Sequence, residues 1–179
     1  MFKYKFKINA VVVLTLFTLL FPRTATYAEK ETNVKAYFIY QFTKFIKWPE
    51  TRDTNTLVIA IWGENKITRP LKIIAREKST PKQKIIVKNI ETLTDLNKAH
   101  ILFLPREKSD NLASVIKAIG THSIVVITEK SGMAKKGAAI NFVMSKENIG
   151  FEINLKSAKK SNLYISSRLL RLAVRVYGE

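Results

Sequence analysis

The sequence predicts an α/β fold: a single-domain sandwich with a mostly parallel central sheet, helices on both faces and a late antiparallel hairpin. Three observations predict it. Short, wholly apolar runs alternate with segments of helical periodicity, as strands buried on both faces under crossover helices require. Near the C-terminus, two apolar runs are parted only by the short polar loop Ser145-Lys146-Glu147-Asn148, which makes them a hairpin. The 179 residues are 46% hydrophobic with no cysteine, so one sizeable core must be held by packing without disulfides.

Residues 1–28 read as a secretory signal peptide, outside the fold. Lys3, Lys5 and Lys7 precede the apolar run Ile8 to Phe21, and Thr26 and Ala28 offer small residues for a cut after Ala28. A 14-residue helix reaches about 21 Å, short of the ~30 Å hydrocarbon core, which favours export over anchoring. Residues 29–179 are then one periplasmic domain.

The domain opens with a helix over Val34 to Trp48, whose Val34, Tyr37, Phe38, Phe42, Phe45 and Trp48 share one broad arc. Asn33 caps it and Pro49 ends it. Leu57 to Trp62, closed by Gly63, is a buried strand. Asn65 to Glu77 forms a helix interrupted or started by Pro70, Lys84 to Ile90 a strand, and Thr92 to Lys98 a helical turn. His100 to Leu104 is a strand stopped by Pro105. Ser109 to Gly120 is a helix with Leu112, Val115, Ile116 and Ile119 at helical spacing, and Ser123 to Thr128 is the next strand. Ala138 to Met144 and Ile149 to Leu155 form the hairpin. A short segment, Ser157 to Ser161, and a helix over Ser167 to Tyr177 close the chain.

The formal net charge is +17, and removing the leader leaves 27 basic against 14 acidic residues, a net +13. In the cytoplasm such a field would point to nucleic acid; export removes that partner and leaves membrane surface, anionic polymers, small anions or acidic proteins. Lysine supplies 23 of the 31 basic residues and is scattered, as on a solvated surface.

The residues do not assemble catalytic chemistry. Gly132 and Gly137 have phosphate-loop spacing, but Ala138 and Ala139 stand where Lys and Ser/Thr belong, and a strand follows. His100 and His122 lack a metal-ligand spacing, the carboxylates are dispersed, and Ser166-Ser167 opens a helix, where N-capping explains it. No catalytic residue, metal or cofactor is expected.

The C-terminal half holds the candidate residues. Asn141, Glu152 and Asn154 interrupt apolar strands, so each must be paired if buried or presented if exposed. Arg168, Arg171 and Arg175 fall at i, i+3 and i+7 on the closing helix, opposite Leu169, Leu172, Ala173 and Val176. Three of only eight arginines on one face suit planar recognition of a carboxylate or phosphate, an interior salt bridge to Glu152, or a solvated face. Arg171 and Arg175 are the candidate partner- or ligand-binding residues. Arg168, nearest the helix start, is expected to need a compensating acid.

These stretches carry a family resemblance. Val34-Lys35-Ala36 through Phe42-Thr43-Lys44-Phe45-Ile46-Lys47-Trp48-Pro49, then Ile140-Asn141-Phe142 and Phe151-Glu152-Ile153-Asn154, then Ser166-Ser167-Arg168-Leu169-Leu170-Arg171-Leu172-Ala173, stand in the order of the YfiR-like periplasmic proteins, which the chain resembles. The resemblance implies a compact, non-enzymatic α/β sandwich in which Asn141, Glu152, Asn154, Ser166, Ser167 and Arg168 are structural motif residues. It implies a repressor of an inner-membrane diguanylate cyclase, or a binder of a sensor kinase's periplasmic domain, that lowers cyclic di-GMP and biofilm formation. An outer-membrane lipoprotein would relieve repression, and a homodimer is a further association. The alternative is a periplasmic sensor of a small anion or other small ligand, held by the arginine stripe. Without cysteine, the disulfide-based redox response of some relatives is not expected.

Overall fold

A computed structural model of the chain describes residues 23–145 and 148–178. The apolar run of the expected signal peptide lies outside the described residues. Residues 32–179 form one compact unit.

The first helix, α1 (Arg23–Phe45), begins earlier and stops sooner than its sequence pattern suggests. Asn33 is an exposed mid-helix residue, not a cap. Beyond Phe45 the chain extends into β1 (Ile46–Lys47), which pairs antiparallel with β8 (Tyr164–Ile165), and the Phe45 carbonyl accepts a hydrogen bond from Ser166 N–H at 3.0 Å. Tertiary pairing thus ends the helix before Pro49 does, and Trp48 falls in the following loop. The buried face is also displaced from the expected arc. Ala36, Ile39 and Phe42 are fully buried, whereas Tyr37 is 51% exposed. Small Ala36 lets the helix approach the sheet closely, and the amphipathic tyrosine stays at the boundary.

The remaining elements are β2 (Thr56–Trp62), α2 (Thr68–Lys78), β3 (Lys84–Ile90), β4 (Ile101–Leu104), α3 (Leu112–Ile119), β5 (Val125–Thr128), β6 (Ile140–Ser145), β7 (Asn148–Asn154), α4 (Leu155–Lys160), α5 (Ser167–Leu172) and β9 (Arg175–Tyr177), with 3-10 turns at Leu93–Lys98 and Arg106–Asn111. Pro70 sits in the first turn of α2, where its missing N–H costs nothing.

The sheet has seven strands in the order β3-β2-β4-β5-β6-β7-β9. All neighbours are parallel except β6 and β7, the expected hairpin, which pair antiparallel from Ile140↔Ile153 to Ser145↔Asn148. Because β2, β4 and β5 are covered on both sides, they are apolar apart from Thr56 and Thr128 at strand ends. Leu57, Ile59, Ile61, Phe103 and Ile127 pack under α1 and α2, while Ala60, Leu102, Leu104 and Val126 pack against α3 on the opposite face.

The closing helix differs most from expectation. It ends at Leu172, and Arg175, Val176 and Tyr177 are extended against β7, with Glu152↔Arg175 and Ile153↔Val176 in register. Val174, Val176 and Tyr177 favour a strand, and Val174 N–H donates to the Phe151 carbonyl at 2.8 Å. Pairing along β7 outweighs five more residues of helix.

Candidate functional site

The polar residues inside the late strands form a row across the sheet. Thr128, Asn141, Glu152 and Arg175 are consecutive register partners on β5, β6, β7 and β9, on the face opposite α1. Thr128 and Asn141 are fully buried. With its nitrogen toward the surrounding acceptors, the Asn141 amide donates to Thr128 Oγ1 at 2.7 Å and to the Lys130 carbonyl at 3.0 Å. Glu152 Oε1 accepts from the Tyr177 hydroxyl at 2.9 Å.

The same face is crossed by the loop 129–137. Asn154 pins it by donating to the Ala134 carbonyl at 2.8 Å, while its Oδ1 accepts from Ser157 N–H at 2.9 Å and caps α4. The phosphate-loop-like glycines serve this path. Gly132 and Gly137 have φ of 80° and 113°, and a Cβ on Gly137 would stand 2.7 Å from Ile116 Cδ1. Asn141 and Asn154 therefore hold a loop onto a sheet.

Ser166 accepts from Leu169 N–H at 3.3 Å and caps α5; Ser167 is exposed beside it. The arginine stripe does not exist as such, because Arg168 and Arg171 lie on α5 and Arg175 lies on β9. All three are exposed, and among the described residues none lies within ion-pair distance of an acid, although Tyr177 and, across the strand pair, Glu152 favour the charge of Arg175. The compensating acid expected for Arg168 is therefore not found, since its exposed guanidinium is solvated. Arg175 instead lies over the Tyr177 ring, 5.9 Å from its centroid. Beside the arginines, Leu172 and Val174 are 62% and 57% exposed although the sequence pattern assigned Leu172 to the apolar stripe. β9 is an edge strand, so its outer backbone groups have no strand partner among the described residues.

A second feature was not legible as a site. The strand order reverses between β2 and β4, the topological switch of an open parallel sheet. At the carboxyl ends of β2, β4 and β5 a cavity of about 480 Å³ is lined by residues including Trp62, Glu64, Asn65, Phe103 and Pro105. Lys35 of α1 and Glu129 border it as an ion pair of 2.7 Å, both largely buried. Glu129 Oε1 also accepts from Arg106 N–H at 3.2 Å. The only sequence signals were Gly63 and Pro105 ending apolar strands.

His100, which sequence spacing excluded as a metal ligand, is a buried joint. Its Nδ1 accepts from Val58 N–H at 3.1 Å, so Nε2 carries the proton and donates to the Asp53 carbonyl at 2.7 Å. Burial pushes its pKa below the ordinary 6.5, against the upward pull of the Asp53 carbonyl. Among the described residues no cluster of His, Asp and Glu has the makings of a metal site.

The sequence matches the family model described as YfiR/HmsC-like (DUF4154) over residues 32–174. The chain belongs to the YfiR/HmsC-like family. This is a family of periplasmic regulators of diguanylate cyclases rather than of enzymes. No curated protein matches this YfiR/HmsC-like sequence. Among solved structures, the ABC domain in complex with L-Trp from Streptococcus pneumonia is similar at a TM-score of 0.52 and 10% identity, over 67% of this chain and 55% of that one. A conserved domain protein from Vibrio cholerae O1 biovar El Tor is similar at a TM-score of 0.52 and 11% identity, over 81% of this chain and 60% of that one. The YfiR/HmsC-like chain thus spans between half and two thirds of the length of these structures, and the likeness is one of α/β fold. No described helix is long and apolar enough to cross a membrane.

Proposed function

We propose that the chain is a non-enzymatic periplasmic repressor that docks on the extracytoplasmic domain of an inner-membrane signalling enzyme, a diguanylate cyclase, and lowers cyclic di-GMP. The observation that carries this reading is the patch at α5 and β9. Exposed Leu172 and Val174 supply an apolar centre, Arg168, Arg171 and Arg175 a cationic rim, and β9 an open strand edge. Exposed apolar side chains beside arginine are the composition of a binding surface more than of a solvated one. The polar row behind the patch is satisfied internally, so Asn141 and Glu152 serve to stiffen the surface. An outer-membrane lipoprotein competing for the patch would release the enzyme, a switch between two bound states.

Export follows from cleavage near Ala28. Val11→Asp should leave an uncut precursor in the cytoplasm, since a central charge costs ~2.5–3.5 kcal/mol on insertion; normal processing of that variant would remove the signal-peptide reading. The docking itself is tested by capturing envelope proteins on the wild-type chain and on Arg171→Ala/Val174→Asp, with cellular cyclic di-GMP measured in parallel. A membrane cyclase retained only by wild type, with cyclic di-GMP rising in the variant, is expected. Equal capture by both overturns the assignment of the patch.

A further inference from the structure

Beside β9, a cleft of about 280 Å³ opens between the end of α3, the loop 129–137 and α4. Its floor is apolar, with Ile119, Ile124 and Val126 almost wholly buried and Ile116 partly so. Its rim carries Lys135 and Lys136 from the loop and Lys156 and Lys160 from α4, all exposed. No carboxylate lines the cleft, and none of these four lysines takes part in an ion pair among the described residues. The rim is also fixed in place. Asn154 ties the loop to β7 and caps α4 with one amide, and Gly137 packs so close to Ile116 that no side chain fits between them. The hydroxyls of Ser157 and Ser161, on the cleft wall, donate no hydrogen bond among the described residues.

Four like charges held around one opening repel one another, and an anion seated among them relieves that repulsion. The rim contains no arginine. Planar, bidentate recognition of a carboxylate calls for guanidinium, whereas several ammonium groups and hydroxyls suit the oxygens of a phosphate. The apolar floor adds a place for hydrocarbon beneath the charge. We propose that this cleft binds a phosphate-bearing amphiphile, with the phosphate among Lys135, Lys136, Lys156 and Lys160 and the apolar part over Ile116, Ile119 and Val126. Such a group is presented by an anionic phospholipid at the membrane surface or by a soluble phosphate ester. The proposal does not rest on the docking reading, although the two sites adjoin: the Lys135 ammonium lies 5.8 Å from the centroid of the Tyr177 ring on β9.

The test uses the protein purified from the cell envelope, with no partner present. Binding is measured to phosphatidylcholine vesicles with and without phosphatidylglycerol, to short-chain phosphatidylglycerol below its micelle concentration, and to inorganic phosphate. Lys156→Gln/Lys160→Gln is compared with Lys72→Gln/Lys84→Gln, which removes the same charge from exposed positions elsewhere. At about five-fold per lysine, the cleft pair should weaken binding of phosphatidylglycerol about 25-fold, with the thermal midpoint unchanged. The control pair should leave it nearly intact. Binding to both vesicles and short-chain lipid assigns the site to membrane phospholipid, and binding to the short-chain lipid alone assigns it to a soluble ester. Equal losses in both pairs reduce the effect to the diffuse positive field and overturn the proposal. So does inorganic phosphate binding as tightly as the lipid, which leaves the apolar floor idle, and so does the absence of binding to every probe.

Discussion

The ammonium of Lys35, on α1, lies 2.7 Å from a carboxylate oxygen of Glu129, just beyond the end of β5. The two side chains are only 11% and 14% exposed, and the contact spans 94 positions of sequence. It ties the first helix to the carboxyl edge of the sheet, and through Arg106 it also fixes the turn that follows β4. Glu129→Ala removes the ion pair and the bond to Arg106 N–H, and takes a carboxylate from beside a partly buried cation. A loss of about 2–3 kcal/mol is expected, somewhat below the ~3–5 kcal/mol typical of fully buried pairs. Denaturant unfolding checks this; a change under about 0.5 kcal/mol would show that the pair behaves as a surface one.

Phe42 packs into an aromatic cluster, edge-on to Phe151 at 5.0 Å and stacked on Phe142 at 5.9 Å, and is fully buried. Phe42→Ala should cost ~3–5 kcal/mol. Phe45, one turn on, is only partly buried and should cost distinctly less. Equal thermal midpoints for the two variants would contradict the observed rotation of α1 on the sheet.

Asn154→Ala deletes a helix cap and a loop clamp together. The cap alone accounts for ~0.5–2 kcal/mol, and the Ala134 carbonyl loses its donor as well. Ser166→Ala, which removes only the cap of α5, should fall at the lower end of that range. Hydrogen exchange should localise the Asn154→Ala effect to residues 130–137, and uniform acceleration across the sheet would count against the clamp.

His100 predicts a pH dependence. Burial depresses its folded pKa, so above about pH 6.5 the imidazole is neutral in both folded and unfolded chains and contributes no slope. As pH falls below that value the unfolded chain takes up a proton that the folded one refuses, and stability declines until the native pKa is passed. Protonated Nδ1 would also confront Val58 N–H, donor against donor. The thermal midpoint should therefore fall as the pH drops below about 6.5, and His100→Gln should flatten that fall. Parallel wild-type and variant curves would assign the slope to other groups.

Arg171→Ala and Arg175→Ala should leave stability within ~0.5 kcal/mol, since both side chains are exposed and the contacts of Arg175 with Tyr177 and Glu152 are screened by solvent. The same holds for Arg168→Ala, now that no acid is found beside it. Each loss of a charge-assisted contact with a partner should reduce affinity roughly ten- to a hundred-fold, with the remaining binding weakening as salt rises. Unchanged affinity in all three variants would place the docking surface elsewhere.

Much of this molecule was determined by local sequence. The runs 57–61, 101–104 and 125–127 are apolar at every position because both faces of those strands are covered, and that continuity announces a parallel sheet before any contact is known. The hairpin, the α3 stop at Gly120 and the caps at Asn154 and Ser166 rest on turn and capping chemistry within a few residues. Tertiary structure decided the rest. Ile46 leaves α1 because Ile165 is available to pair with it, and Arg175 leaves α5 because β7 needs a neighbour. The helical spacing of Arg168, Arg171 and Arg175 was real, but a few residues of marginal helix yield to a hydrogen-bonded strand edge. The switch-point cavity and the lysine-rimmed cleft likewise gather side chains from distant segments. Periodicity encodes which face of an element is apolar, whereas the strand order and the pairing of chain ends arise from long-range contacts with no local signature.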